Sequence, residues 1–294
     1  MKPYFISILK YFTIPILLLI PSHVNSSAFG DPLNTVLSIL EQVFEVNKSI
    51  TSLRYTIIMK ERVRGDIINR KTDFKVHFSP YRIYMKQYYP NQGLEILYNQ
   101  EETGDKAFIN RNTFAMSNFR FDPTGNMMRK ESHHSIFKGG FTYLLDVIET
   151  LYNKYPAGKF SAWKYEGIVK YGDIVCYKIS FDNPAFGMTE YTIQEGETLE
   201  TISYKIKVSD FMIFESNPTL NSFDNFKPGI KIIIPTDYAQ QIILYIDKEK
   251  LVPVGVKAYD EKGLFEDYFY QNVEINPEFS EIDFQSSNPA YGFR

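Results

Sequence analysis

Apolar residues alternate with polar ones along segment after segment of this 294-residue chain, and that period of two constrains the fold more than any other feature. In "SLRYTIIMKERV" the residues Leu53, Tyr55, Ile57 and Met59 share one side of a strand, and in "TDFKVHFS" Phe74, Val76 and Phe78 do the same. The pattern continues through "YRIYMKQYY", "GLEILYNQ", "GDKAFINR" and "TFAMSNFRF", punctuated by turns at Asn91-Gln92-Gly93 and Thr103-Gly104-Asp105. "WKYEGIVKYGDIVCYKISF" predicts a hairpin turning at Tyr171-Gly172-Asp173. "QQIILYID", "LVPVGVKAYD" and "LFEDYFYQNVEI" predict three more strands, joined at Lys248–Lys250 and at Glu261-Lys262-Gly263. A hairpin over 164–181 and three strands over 242–273 are each too small to stand alone, so they belong to one antiparallel sheet with the N-terminal strands. The 22 Tyr and 24 Phe suit such pleated, half-buried surfaces.

Helical spacing breaks this pattern in three places. "DPLNTVLSILEQVFEVNKS" opens on Asp31-Pro32 and carries one apolar face, which predicts a helix over 33–47. "GGFTYLLDVIETLYNKY" predicts another over 139–153. The third break lies in residues 191–235, where a strand, "YTIQ", gives way to two short helical stretches. Thr198 caps the first, with Leu199, Ile202 and Ile206 on one side; Ser209 caps the second, which carries Phe211, Ile213 and Phe214 and stops at Asn217-Pro218. "FKPGIKIIIP" returns the chain to a strand at Lys231–Ile234. The strands on either side need each other, so this βααβ unit is read as an insertion, entered and left through "DNPAFGMTE" and "TDYAQ".

The first residues have the layout of a secretory signal peptide. A basic "MKPYFISILK" leads into the apolar "YFTIPILLLI" and then the polar, small-residue "PSHVNSSA", with cleavage expected near Ser26–Ala28. A membrane anchor is the competing reading, but Lys10, Pro15 and Pro21 interrupt the roughly 20 apolar residues a spanning helix needs. Losing Lys2 and Lys10 with the leader takes the formal charge from −3 to −5. A net acidic chain without a basic, aromatic-interleaved stripe argues against nucleic acid as a partner. One cysteine, Cys176, excludes an intrachain disulfide.

The pieces "YTIQEGETLETIS", "KVS", "NPTLNS" and "FKPGIKIIIP" resemble a LysM domain, a βααβ module that binds peptidoglycan and other glycans containing N-acetylglucosamine. The resemblance implies a shallow sugar groove between two loops, which here are Gly196, Glu197, Thr198 and Leu199 facing Asn217, Pro218, Thr219 and Leu220. Glu200 departs from the family pattern, standing where many members carry a tryptophan, and Ser203-Tyr204 replaces a small-then-basic pair. Both changes are expected to weaken a grip that is already modest in single units.

The flanks carry a second resemblance. "ERVRGDIINRKTDFKVHFSPYRIYMKQYYPNQGLEILYNQ" is similar to a family of secreted bacterial domains without an assigned activity. "IDKEKLVPVGVKAYDEKGLFEDYFYQNVEINPEFSEIDF" resembles the closing strands of the outer-membrane lipoprotein carrier fold. That fold implies a curved antiparallel sheet closing over helices around an apolar pocket for acyl chains, with helices 33–47 and 139–153 on the concave side. A filled aromatic core is the competing expectation. The tail "FSEIDFQSSNPAYGF" is expected to dock on the sheet.

The expected architecture is therefore α+β: a signal peptide over 1–28, a discontinuous carrier-like domain over 29–190 and 236–294, and a LysM module over 191–235. No enzymatic motif, phosphate loop or cofactor signature stands out. Glu131, His133 and His134 suggest a metal, but no further His or Cys is spaced to complete a site, so a solvated loop is expected there. Cys176 is expected to be a buried, inert thiol. Lys71 with Lys75, and Arg82 with Lys86, are expected to form basic stripes on the wet face of the sheet, near Glu61, Arg62 and Arg64. The function expected is that of an exported, non-enzymatic envelope protein binding peptidoglycan and holding a lipid or lipoprotein. The alternatives are a peptidoglycan hydrolase and a scaffold without a ligand.

Overall fold

The computed structural model describes residues 32–112, 119–156, 162–224 and 226–293. The predicted leader lies outside them, as does most of "TFAMSNFRF". The first helix, α1, runs Pro32–Lys48. It is followed by β1 Ser52–Val63, β2 Asp66–Phe78, β3 Tyr81–Tyr89 and β4 Glu95–Asn99. A single helical turn, α2 Gln100–Thr103, precedes β5 Ala107–Asn110 and β6 Phe119–Phe121. The segment that follows holds the short α3, Asn126–Arg129, and a 3-10 turn at Ile136–Lys138. Then come α4 Thr142–Lys154, β7 Trp163–Tyr171 and β8 Ile174–Asp182. The remaining elements are β9 Met188–Thr192, α5 Leu199–Ile206, α6 Asp210–Ser216, β10 Lys231–Pro235, β11 Gln241–Asp247, β12 Pro253–Asp260 and β13 Gly263–Ile275.

Eleven strands form one antiparallel sheet in the order β6-β5-β4-β3-β2-β1-β13-β12-β11-β8-β7. Register shifts in β1, β2, β7, β11 and β12 or their partners mark bulges, which bend strands and raise their twist. The alternation read from the sequence sets the faces. Leu53, Tyr55 and Ile57 of β1 pair across to Val76, Phe74 and Thr72 of β2, all of them pointing inward and buried.

α1 and α4 cover part of that inner face. Val36, Leu40 and Val43 of α1 share one core with Leu145, Ile148 and Leu151 of α4 and with the inward residues of β8, β11 and β12. Asn47 of α1 donates to the Asp146 carboxylate of α4 at 3.2 Å. Trp163 is wedged against Phe181, with ring centres 4.5 Å apart, and donates its indole N–H to the Tyr155 carbonyl. The opposite face is covered beyond β2 by the C-terminal tail. Tyr291 stacks on Tyr84 at 3.7 Å, and Phe284 is fully buried among Leu97 and Phe108. Cys176 is also fully buried, and burial pushes its thiol up to about 11.

β8 and β11 are neighbours in the sheet, with Asp182 opposite Gln241, so everything between them is an excursion where a hairpin turn would stand. β9 and β10 form a separate two-stranded antiparallel pair, Met188 opposite Pro235 through Thr192 opposite Lys231, with α5 and α6 between them in sequence. The first of these strands starts three residues earlier than the sequence pattern suggests. Thr198 caps α5 in a reciprocal box with Thr201, and the Ser209 hydroxyl accepts from the Met212 N–H. Val63 of β1 and Phe265 of β13 enter the core of this excursion beside Leu199, Ile202, Phe211 and Ile234.

Candidate functional site

Where β1 to β5 run beyond the reach of α1 and α4, the inner face is roofed instead by the segment 121–140, and a cavity of about 560 Å³ lies between them. Its floor is apolar where the alternation is apolar: Ile57, Phe74, Met85, Ile96 and Ile109. Further along the same strands the alternation turns polar. Glu61 follows Met59 on the inward side of β1, while Thr72 and Arg70 continue inward from Phe74 on β2. The roof adds Met127 and Met128, and Arg111 and Lys130 are exposed at the rim. Gly140 closes the roof at φ +88°, and a side chain there would press on Leu53, so glycine is required where the segment turns into α4. Its N–H donates to the Tyr55 hydroxyl at 2.6 Å.

The roof is held by buried charge. Arg129, fully buried, donates to Asp210 at 2.6 Å and to Glu200 at 3.2 Å, both on the excursion's helices. Lys138 lies 3.2 Å from Asp210 and 3.6 Å from Glu200 and donates to the Ser203 hydroxyl. Ser135 donates to Glu200 at 2.6 Å. His133, also fully buried, has the Glu266 carboxylate 2.9 Å from Nδ1 and the Arg62 carbonyl 2.8 Å from Nε2. Both partners can only accept, so both ring nitrogens donate and the ring is an imidazolium. On the floor, Arg70 donates to Glu61 at 2.7 Å and to the Glu131 carbonyl, and Tyr268 donates to Glu61. Arg62 makes a forked pair with Asp260.

The titration of these groups follows from that arrangement. Burial opposes ionising Asp210, but Arg129 and Lys138 outweigh it and hold the carboxyl far below the usual range. Glu200, next to Asp210, is pushed up, chiefly by burial. Burial opposes charge on Glu266 too, yet His134 and His133 keep it well below the usual range. Burial lowers His133, while Glu61 and Glu266 raise it by more. Among the described residues no group of three or more His, Cys, Asp or Glu could hold a metal ion.

Two expectations from the sequence are corrected here. His133 and His134 do not lie in a solvated loop; both turn onto Glu266, a residue 133 positions away from the first. The basic stripes are not simply the wet face either. Lys75 donates to Asp283 and Tyr291 of the tail, Arg82 pairs with Glu281, and Arg62 and Arg70 are buried. Glu200, which departs from the LysM pattern, ties α5 to the roof together with Ser203 and Tyr204.

Of the two loops expected to flank a sugar groove, the first is tied through the Leu199 N–H to the Phe223 carbonyl at 3.0 Å, three residues beyond the end of the second. Their side chains are largely engaged. Leu199 is fully buried. Asn217 donates to the Ile213 and Ile233 carbonyls and accepts from the Ile233 N–H. Glu197 accepts from Tyr191, Lys205 and the Gln194 N–H. Gly196, Pro218 and Thr219 are exposed, Thr198 is half-buried, and Leu220 lines an open cleft with Pro218, Arg64 and Lys262. Asn126 of the roof pins the second loop from behind through the Asn221 carbonyl and the Phe223 N–H. The sequence reading missed Arg129, Lys138, Asp210 and Glu266. Strand parity alone, carried past Met59 and Phe74, places Glu61, Thr72 and Arg70 on the inner face.

Comparison with known proteins gives a family and several distant likenesses. No curated protein matches the chain in sequence. The crystal structure of LprF from Mycobacterium bovis aligns at 12% identity and a TM-score of 0.43, over 85% of this chain and 97% of that one. The lipoprotein LppX of Mycobacterium tuberculosis aligns at 14% identity and 0.38, over 84% and 98%. A LolA superfamily protein from Nitrosomonas europaea aligns at 9% identity and 0.31, over 85% and 96%. The model of the family described as proteins of unknown function, DUF1571, matches residues 50–195 and 234–293 and passes over 196–233, which hold α5, α6 and the start of β10. Those matched residues are well over half of the sequence, and the chain belongs to the DUF1571 family.

Proposed function

We propose that this is an exported, non-catalytic binding protein of the cell envelope, whose roofed cavity takes the apolar part of an amphiphile such as a lipid or the acyl end of a lipoprotein. The observation that carries the reading is the cavity itself: about 560 Å³, floored by Ile57, Phe74, Met85 and Ile96 and opening at a basic rim. Sites for small molecules commonly fall at about 300–1,000 Å³ with mostly apolar walls and a few placed polar groups. Met59, Met85, Met127 and Met128 line it, and methionine adapts to irregular apolar ligands. The test is organic extraction of protein purified from envelopes, followed by mass spectrometry. A near-stoichiometric amphiphile is expected from the native chain and little from Met85→Trp or Ile96→Trp, which fill the floor. Absence of any bound species, or equal recovery from the filled variants, overturns the reading.

Within the same function, residues 191–235 act as a LysM-type unit that holds the protein to peptidoglycan or another GlcNAc-containing glycan through Gly196, Glu197, Thr198 and Leu199 on one loop and Asn217, Pro218, Thr219 and Leu220 on the other. What favours this is the βααβ order, with the first loop bonded to the chain just after the second through Leu199 and Phe223. Buried Leu199 and Asn217 would shape the groove, while Gly196, Pro218 and Thr219 meet the sugar. Deleting the unit is a poor test, because Arg129 and Lys138 would lose their buried partners. Sedimentation with purified sacculi is better: Gly196→Asp with Thr219→Glu is expected to leave most protein in the supernatant. Unchanged co-sedimentation sinks the glycan claim.

A further inference from the structure

Two hairpin tips of the sheet meet the end of α6 and the loop after it, and an open cleft of about 630 Å³ is lined by all of them. The first tip joins β1 to β2: Val63 faces Asp66, leaving Arg64 and Gly65 as the turn. Arg64 sits at φ +53°, a conformation that asparagine or glycine adopts at less cost, and it is exposed. The second tip joins β12 to β13 through Glu261 and exposed Lys262. β1 and β13 are neighbours, with Glu61 opposite Glu266, and toward the tips the Arg62 guanidinium donates to the Leu264 carbonyl at 3.2 Å. Strands paired in this way lie about 5 Å apart, less than the length of an extended arginine or lysine side chain, so one ligand group can meet both cations. Asp260 braces the tips, pairing with Arg62 and accepting from the Lys262 N–H at 2.8 Å. Glu215 of α6 accepts from the Arg64 N–H at 2.7 Å and fixes the first tip to the excursion.

Charge and surface then define the ligand. Arg62 is neutralised by Asp260, whereas among the described residues neither the Arg64 guanidinium nor the Lys262 ammonium meets a carboxylate. Those two cations and the Glu215 carboxylate sum to a single positive charge, which suits a carboxylate better than a doubly charged phosphate. The other wall is apolar, with Phe214, Pro218 and Leu220. Pro218 and Leu220 also belong to the second loop of the proposed sugar groove, so a glycan lying on that loop runs on into the cleft. We infer that the glycan held here bears a carboxylate, as peptidoglycan does on the lactyl ether of its N-acetylmuramic acid, and that Arg64 and Lys262 receive that group. The inference rests on the glycan reading above and names the class of glycan that reading leaves open.

The experiment is calorimetric titration of the full chain with two sugars of equal length. One is neutral tetra-N-acetylchitotetraose; the other is the peptide-free tetrasaccharide of peptidoglycan, whose lactyl ethers end in carboxylates. The acidic sugar is expected to bind about tenfold more tightly, the scale of one charge-assisted hydrogen bond at a partly exposed site. Its carboxamide should bind like the neutral sugar, and the advantage should shrink as salt is raised. Arg64→Asn with Lys262→Gln should remove the preference while neutral-sugar affinity and thermal melting stay level, since both side chains are exposed and asparagine suits the turn. Equal affinity of the native chain for the acidic and neutral sugars overturns the carboxylate site and leaves the glycan reading standing. A preference that persists in the double variant places the acid elsewhere and likewise ends the proposal. Failure of both sugars to bind the native chain overturns this inference and the glycan reading together.

Discussion

One face of one sheet is treated in two ways. Over β8, β11 and β12 it meets amphipathic helices, and Leu40, Ile148, Phe181 and Leu244 close a core held mainly by apolar packing, its few polar atoms paired locally as Trp163 is with Tyr155. Over β1 to β5 it meets an irregular segment whose hold is ionic, through Arg129, Lys138 and His133, and a cavity remains beneath. Helices fill because ridges of side chains interlock with the strands. A segment fixed by a few directional charge pairs stands off at the distance those pairs dictate. The sheet therefore combines a core that carries stability with a chamber whose shape is set by electrostatics.

That contrast can be broken by experiment. The largest effect is expected at Arg129→Met, which leaves Asp210 and Glu200 buried with Lys138 as the one cation still paired with them among the described residues. Chemical denaturation should show a loss of about 3–5 kcal/mol. Pairing the change with Asp210→Leu should recover much of it. Next, Leu40→Ala in the filled half should cost about 2–5 kcal/mol, while Met85→Ala on the cavity floor should cost about 1 kcal/mol or less, since part of its surface already lacks packed neighbours. Equal losses at the two sites would mean the cavity is closed in solution.

The pH dependence sharpens the same point. Asp210 and Glu266 sit below their ordinary values, so the stability they add is present above about pH 4 and is lost as the pH falls. His133 is raised, so its contribution is whole below about pH 6.5 and disappears as the pH climbs through its folded value. Glu200, pushed up by burial, also works against stability as it ionises. Hydrogen exchange across pH should show the roof loosening at both ends of the range while α1 holds. A roof as insensitive to pH as α1 would refute the ionic account. The smallest change is expected at Arg54→Ala, which breaks an exposed pair with Glu274 and should cost less than about 1 kcal/mol in the same denaturation assay.

Alternation makes most of the sheet legible in the sequence, because a period of two needs no knowledge of distant partners. The same rule places Glu61, Arg70 and Thr72 on the inner face, though carboxylates and arginines ordinarily read as solvated. The roof was not legible. Arg129 and Asp210 stand 81 positions apart, and nothing local to either marks a buried pair. His133 and His134 read as a solvated loop because nothing near them in sequence marks a partner; an irregular backbone turns both onto one distant carboxylate. Glu200 was legible only as a departure from a pattern, and its reason lies in a partner from another part of the chain.

The sealed position of Cys176 has a practical consequence. The chain contains a single cysteine, its side chain is out of reach of solvent, and its thiol is raised to about 11. Maleimide chemistry at neutral pH needs an accessible thiolate and will pass it by. Met127, 52% exposed and lining the cavity, can then be exchanged for cysteine without first removing the native one. A fluorophore attached there would report occupancy of the chamber in real time from an otherwise unaltered protein.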